Sequence, residues 1–321
     1  MPTPSVGFRD SYLHLWREFV FHPKFGRSAK KRADFIKRHP PFYSNAMNVA
    51  TVFPVHETRT EHDSISDVDD RRSQQHHPKD FLGLEEVAKV HFIVVLFAET
   101  LGTFLLVFIG CASCVTWNEM RPPSVLQIAF TFGLAVAALA QVLGPVSGCH
   151  VNPAVTVGLL TSGNCTLLKA LCYIVCQCCG AIAGAAVLKI AIPPAPASLG
   201  MGSTNLGGGV TVGQGVLIEA IVTFLLVLVV QAVTDSKRND VKGWAPLAIG
   251  LTISVAHMAA IPITGSSMNP ARTFGPAVIF DDWSNHWVYW VGPIAGAFIA
   301  GGVYKMGLRP RAKDEEESYD F

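Results

Sequence analysis

Apolar residues gather into six long runs, each close to the ~20 residues that a helix needs to cross a bilayer. The runs are Phe92 to Trp117, Ser124 to Leu143, Thr166 to Ile190, Gly213 to Val233, Ala245 to Ile263 and His286 to Met306. Two further apolar pieces, Asn152 to Leu160 and Asn269 to Phe280, are too short to cross. Non-spanning backbone at membrane depth is tolerated only where protein buries it or it lines a watery cavity. Both pieces are therefore predicted as re-entrant half-helices. The expected organisation is a largely disordered tail over 1–91, membrane halves over 92–190 and 213–306, a connecting loop over 191–212, and a second tail over 307–321. The fold class that follows is an all-α membrane protein.

Charge fixes the expected orientation. Half of the 321 residues are hydrophobic and 15% are charged, and the mean hydropathy of +0.35 is high for a chain with a long polar tail. Lys and Arg concentrate in the N-terminal tail, in the Asp235–Gly243 loop (Lys237, Arg238, Lys242) and at the C-terminus (Lys305, Arg309, Arg311, Lys313). Such segments stay in the cytoplasm, so both termini are expected inside and 191–212 outside. The first long apolar run begins only at Phe92, so no signal peptide is visible.

The two halves repeat each other. Ala98-Glu99-Thr100-Leu101-Gly102-Thr103-Phe104-Leu105-Leu106-Val107 is similar to Ile218-Glu219-Ala220-Ile221-Val222-Thr223-Phe224-Leu225-Leu226-Val227. Gly133-Leu134 returns as Gly250-Leu251, 117 residues on, and Asn152-Pro153-Ala154 returns as Asn269-Pro270-Ala271 at the same spacing. Gly180-Ala181-Ile182-Ala183-Gly184 is echoed by Gly292-Pro293-Ile294-Ala295-Gly296. With three spans per half, the second copy must be inverted relative to the first. Proline after Asn suits the first position of a helix, where its missing N–H would be an orphan anyway. Two such half-helices entering from opposite faces would meet near mid-depth with their positive ends together. A narrow polar pore is the expected result.

Ser147-Gly148-Cys149-His150-Val151-Asn152-Pro153-Ala154-Val155-Thr156 and Gly265-Ser266-Ser267-Met268-Asn269-Pro270-Ala271-Arg272-Thr273-Phe274-Gly275-Pro276-Ala277 resemble the two signature loops of the aquaporin family. The resemblance covers about residues 92 to 306 and leaves both tails outside it. It assigns the narrowest zone to Phe132, His257, Ser266 and Arg272. Phe132 with His257 implies the tight aperture of water-selective members, and so does the pair Tyr289-Trp290. Glycerol-conducting members usually have a small residue at the place of His257 and Asp at the place of Thr273. The resemblance also implies a homotetramer with one pore per subunit, and Gly180, Gly184, Gly292 and Gly296 would permit close helix packing.

The filter can also be argued from its chemistry. Arg272 keeps its charge and offers donors only, so it repels cations and aims N–H groups at water oxygens. His257 can present a ring nitrogen, and Phe132 a wall that cannot hydrogen-bond. A permeant needing many partners would be stripped there without compensation. At the centre, Asn152 and Asn269 are expected to donate to one water oxygen, and the two helix ends to oppose an excess proton. Loop carbonyls would supply acceptors along the rest of the path.

Glu99 and Glu219 are the acidic residues well inside spans, at equivalent places. They are expected to act as supports, accepting N–H groups of the re-entrant loops and holding the loop carbonyls toward the pore; the rival role is a proton relay in a coupled transporter. Cys149, three residues before Asn152, mirrors Ser266, three before Asn269, and is expected to border the pore with His150 beside it. Many family members have a mercury-sensitive cysteine where this chain has Ser266. Any mercurial block is therefore expected to act through Cys149. The cysteines on the spans, including Cys172 to Cys179, read as small hydrophobes rather than a metal site. The sequon at Asn164 is expected on the cytoplasmic side, without a glycan.

Residues 1–40 hold nine Lys/Arg against three acidic residues, with aromatics between them. That stretch is compatible with the anionic inner leaflet or with a solvated tail. Ser28, Ser73 and the C-terminal Tyr-Asp-Phe are weak motifs for kinases or a cytoplasmic partner. The leading expectation is a passive water-selective channel, in a multi-pass protein of the plasma membrane. A channel for water plus urea, ammonia or peroxide, a poorly conducting adhesion or signalling scaffold, and a proton-coupled transporter remain open beside it. No metal cluster or nucleophile–base pair is visible in the membrane part, so no enzymatic activity, metal or cofactor is expected, and no nucleic-acid partner.

Overall fold

The computed structural model describes residues 81–194, 201–238 and 243–310. The expectations for the tail over 1–80, for Lys242, and for the chain end beyond residue 310 fall outside these residues. After a short turn of helix, α1 (Leu84–Val87), come the spans α2 (His91–Ala112) and α3 (Val125–Ser147), the half-helix α4 (Pro153–Ser162) and the span α5 (Leu167–Ala191). The second half repeats the order: α6 (Val212–Thr234), α7 (Ala245–Thr264), the half-helix α8 (Pro270–Phe280) and α9 (Val288–Val303), which continues as a π-helical turn over Tyr304–Leu308. Six helices are long and apolar enough to cross a membrane, and among the described residues there is no strand.

The chain is built inside-out relative to a protein in water. Ile93, Phe97, Val175, Ile190 and Val255 are exposed on the outer faces of spans, while Glu99, Gln177, Glu219 and Gln231 are fully buried. An apolar exterior satisfies hydrocarbon, and helices satisfy their own backbone there. Local signals set the ends. Ser124 caps α3 through Gln127 N, Thr211 and Gln214 form a capping box on α6, and glycines in the left-handed conformation stop α3, α4 and α7 at Gly148, Gly163 and Gly265.

Two ends differ from expectation. α2 stops at Ala112 rather than near Trp117, where Ser113 Oγ and Cys114 Sγ both turn back onto Gly110 O at 2.6 and 3.5 Å. Such side-chain bonds compete with the helix ladder. α3 runs on past Pro145 to Ser147, whose hydroxyl is seated on Glu99 at 2.6 Å.

Packing follows the repeat. α5 lies on α2, α9 on α6, and α3 on α7. Gly180 and Gly184 meet the Thr100 and Phe104 carbonyls, and Gly292 and Gly296 lie against α6 at Glu219 and Ala220, with no room for a Cβ. These glycines are thus occupied by helix pairs within one chain. The half-helices cross over: α4 packs on α9 and α8 on α5, each against the third span of the other repeat. That exchange locks the two halves together and brings both Asn-Pro-Ala motifs to one point.

Candidate functional site: a pore between the repeats

At each half-helix the asparagine is the N-cap and the proline the first helical residue. Asn152 Oδ1 accepts from Ala154 N at 2.8 Å, and Asn269 Oδ1 from Ala271 N and Arg272 N at 3.0 and 3.2 Å. The amide nitrogens cross the repeat axis, Asn152 Nδ2 donating to Met268 O at 2.8 Å and Asn269 Nδ2 to Val151 O at 2.9 Å. One N–H of each amide is used this way. The second remains available, and both residues line the cavity described below.

The loops leading into these caps are strained in the same places. Cys149 and Val151 before Asn152, and Ser266 and Met268 before Asn269, have φ of 48°, 44°, 51° and 52°. Non-glycine residues in this region cost roughly 1–3 kcal/mol each and persist only where neighbours over-determine them. The neighbours here are the two buried glutamates. Glu99 accepts from Ser147 Oγ, His150 N, Val151 N and Gln177 Nε2 at 2.6–2.9 Å. Glu219 accepts from Thr264 Oγ1, Ser267 N and Met268 N at 2.6–2.9 Å. Tyr173 OH donates to Ser147 O at 2.6 Å and Tyr289 OH to Thr264 O at 2.8 Å, bracing each loop from the third span.

A continuous cavity of about 440 Å³ extends from Phe132, His257 and Arg272 past both asparagines to Asn164, Asp235 and Arg309. At its first end the Phe132 and His257 rings are 5.0 Å apart and the Arg272 guanidinium carbon lies 4.7 Å from the Phe132 ring centre. His257 Nδ1 is 3.1 Å from Ile253 O, so Nδ1 carries the hydrogen and Nε2 of the neutral ring is an acceptor. That Nε2 and Arg272 Nε are buried without a protein partner. Arg272 Nη1 donates to Gly202 O, a carbonyl of the loop between the repeats. Ser266 is fully buried and does not line the cavity, and its Oγ has no protein partner. Cys149 and His150 do line it, and His150 Nδ1 bonds to Thr156 Oγ1 at 3.1 Å. Tyr289 and Trp290 stand away from the wall. Trp290 Nε1 donates to His286 at 3.1 Å, in an aromatic cluster around Phe274.

The other mouth carries a polar knot. Asp235 is buried and accepts from Tyr304 OH at 2.9 Å and Lys237 N at 3.0 Å, with Arg309 Nε 3.5 Å away. Burial pushes its carboxyl pKa up. The Lys237 N–H, the Tyr304 hydroxyl and the Arg309 charge outweigh this and hold it below the ordinary aspartate value. Gln231 ties this mouth to α4, donating to Gly158 O and Ser162 Oγ at 3.0 and 2.9 Å and accepting from Asn164 Nδ2 at 3.0 Å. The eight cysteines are free thiols.

Sequence reasoning did not find Gln177, Gln231, Asp235 or the Gly202 carbonyl. Gln177 and Gln231 carried the same signal as the glutamates, a polar residue inside an apolar span. Asp235 and Gly202 lie beyond span ends, where polarity carries no such signal.

Two inverted half-helices that meet at paired Asn-Pro-Ala caps inside six spans are matched by a family profile, Major intrinsic protein, over residues 86–304. The chain belongs to this family, the aquaporins. Its members are channels rather than enzymes. The chain is 46% identical to Aquaporin-4 of Mus musculus over 216 residues, 66% of this chain and 67% of the relative. It is 45% identical to Aquaporin-5 of Sus scrofa over 229 residues, 71% of this chain and 86% of that one. The fold is also shared with the solved aquaglyceroporin from Plasmodium falciparum, with a TM-score of 0.61, 23% identity, and coverage of 68% of this chain and 98% of that chain.

Proposed function

We propose that this aquaporin is a passive, water-selective channel driven by osmotic gradients. The observation that carries the reading is the constriction. His257 Nε2 offers an acceptor and Arg272 Nε–H a donor, both buried and without protein partners, beside the unbonding face of Phe132. Water can donate and accept at once and loses little there. A larger polyol must shed more hydrogen bonds than this wall returns. His257 and Thr273 also stand where glycerol-conducting members have other residues. The resemblance to relatives named Aquaporin-4 and Aquaporin-5 supports the same cargo.

Cation exclusion follows from the Arg272 charge, and proton exclusion from the centre. Two helix N-termini converge at Asn152 and Asn269, each worth roughly half an elementary charge. Their free amide hydrogens fix a passing water with its own hydrogens pointing away from the centre. Glu99 and Glu219 act as supports: their oxygens are committed to loop donors, which suits a brace better than a proton relay. The strained loops turn carbonyls toward the path. Ser266 acts through the shape of its loop.

The Lys and Arg pattern supports a cytoplasmic side for both termini and the Asp235 mouth and an outer side for the Arg272 mouth. The plasma membrane and a homotetramer complete the proposal.

The test is stopped-flow light scattering of proteoliposomes under an osmotic step, repeated with glycerol as permeant. Fast shrinkage with little glycerol entry is expected. Glycerol entry comparable to that of water would favour a channel with broader small-solute passage. Shrinkage no faster than empty liposomes would favour the scaffold reading.

A further inference from the structure

A half-helix in a pore has its N-terminus at the centre and its C-terminus, with several orphan carbonyls and the negative end of its dipole, near a membrane face. Neither α4 nor α8 carries a basic residue in its own last turn. A lysine reaches each end from another helix. Lys189, at the end of α5, donates from Nζ to Ile279 O at 3.0 Å and stands 5.2 Å from the centre of the Phe280 ring. Ile279 and Phe280 are the last two residues of α8, and the amides of Asp281 and Asp282 both fold back to Ala277 O, leaving Ile279 O to Lys189.

Lys305, in the π-helical turn after α9, is the repeat counterpart, offset from Lys189 as Tyr289 is from Tyr173. Its Nζ lies 3.9 Å from where a Cβ on Gly163 would stand, and Gly163 is the C-cap of α4. Each lysine therefore belongs to the third span of one repeat and meets the half-helix of the other, along the contacts α5–α8 and α9–α4. The same paths carry close backbone approaches, Gly275 against Ala181 O and Gly301 against Gly158 O. Pro276 removes one bond of the α8 ladder, so the outer end of α8 is coupled to its first turn through these close packing contacts.

We propose that Lys189 and Lys305 are a matched pair of positioning residues that seat the outer ends of the two half-helices, with Lys189 setting where α8 stands and so how far Arg272 closes the constriction. The part concerning the aperture rests on the water-channel reading; the seating of the helices does not.

The test compares the unsubstituted protein with Lys189→Met, Lys189→Arg and Lys305→Met in proteoliposomes. Hydrogen exchange of backbone amides over 277–282 and 159–164 reports the seats whether or not the channel conducts. Lys189→Met is expected to speed exchange about two- to fivefold at the end of α8 alone, the range for one charge at a helix terminus. Lys305→Met should do so at the end of α4 alone, and Lys189→Arg at neither. The glycerol-to-water permeability ratio is expected to rise by about the same factor in Lys189→Met, and to stay unchanged in Lys189→Arg and Lys305→Met. Unchanged exchange in Lys189→Met overturns the seating, and faster exchange with an unchanged ratio overturns control of the aperture. An unsubstituted protein that passes no water counts against the channel reading, while exchange still decides the seat.

Discussion

In both repeats a buried glutamate takes two backbone N–H groups of the re-entrant loop, Glu99 those of His150 and Val151, Glu219 those of Ser267 and Met268. Both repeats place left-handed residues one and three positions before the capping asparagine, and both brace the loop with a tyrosine hydroxyl. The side chains set on this shared frame differ. Val155 stands where the second repeat has Arg272, Cys149 where it has Ser266, and His150 where it has Ser267. The bond from His150 to Thr156 is replaced by one from Thr273 to Ser267, which Thr204 of the connecting loop extends at 2.8 Å. Duplication therefore preserved backbone geometry and left chemistry free to diverge. The Phe132, His257 and Arg272 cluster has no repeat-related counterpart, although the frames match.

Substitution in the shared frame is expected to cost the most. Glu219→Ala leaves the N–H groups of Ser267 and Met268 and the Thr264 hydroxyl without their acceptor, and Glu99→Ala leaves the equivalent set in the first loop. At ~1–3 kcal/mol for each buried unsatisfied donor, each is expected to destabilise the protein by several kcal/mol. Thermal unfolding of the detergent-solubilised protein should show similar large losses for both. A large loss in one alone would mean that the frames are not energetically equivalent.

How much of this was legible beforehand depends on the kind of signal. Hydrophobic runs and paired Asn-Pro-Ala motifs gave the six spans, the half-helices and the inversion, because bilayer thickness and backbone satisfaction leave little choice. α2 ends short of its apolar run because Ser113 and Cys114 bond backward, and α3 outruns Leu143 because the helix continues through Pro145 to Ser147, which is seated on Glu99. The resemblance named the constriction residues, but not that Gly202 from the connecting loop supplies the carbonyl for Arg272. Partners brought together by tertiary packing, such as Gln231 with Gly158 or Asp235 with Tyr304, leave no periodic trace in a sequence.

A smaller effect sharpens the divergence between the loops. Cys149 lines the cavity in the first loop, and Ser266 holds its place in the second. Mercurial inhibition of water flux is expected in the unsubstituted channel and not in Cys149→Ser, while Ser266→Cys in that background should restore little, since Ser266 is fully buried away from the wall. Equal block of Cys149→Ser would remove Cys149 from the account.

The smallest effect concerns a feature of the first half alone. Glu86 on α1 accepts from Lys169 Nζ at 2.8 Å and Thr166 Oγ1 at 3.0 Å, tying α1 to the start of α5. Partial burial pushes its pKa up, but Lys169 and Thr166 more than offset this and hold it below the ordinary glutamate value. Its stabilisation is therefore present above the unfolded-state pKa and fades as pH falls through the lower folded value. The pair is partly exposed, so the contribution is expected to be below about 1 kcal/mol. Melting temperature against pH should lose a shallow acid-side slope in Glu86→Gln; an unchanged slope would assign it elsewhere.

Selectivity is proposed to lie in the Phe132, His257 and Arg272 end of the pore and not in the shared frame. Its most direct test is the glycerol permeability of His257→Ala proteoliposomes beside the unsubstituted channel, with water flux measured on the same preparations. Retained water flux and a clear gain of glycerol entry are expected. Glycerol exclusion that survives the loss of His257, with water flux intact, would contradict it.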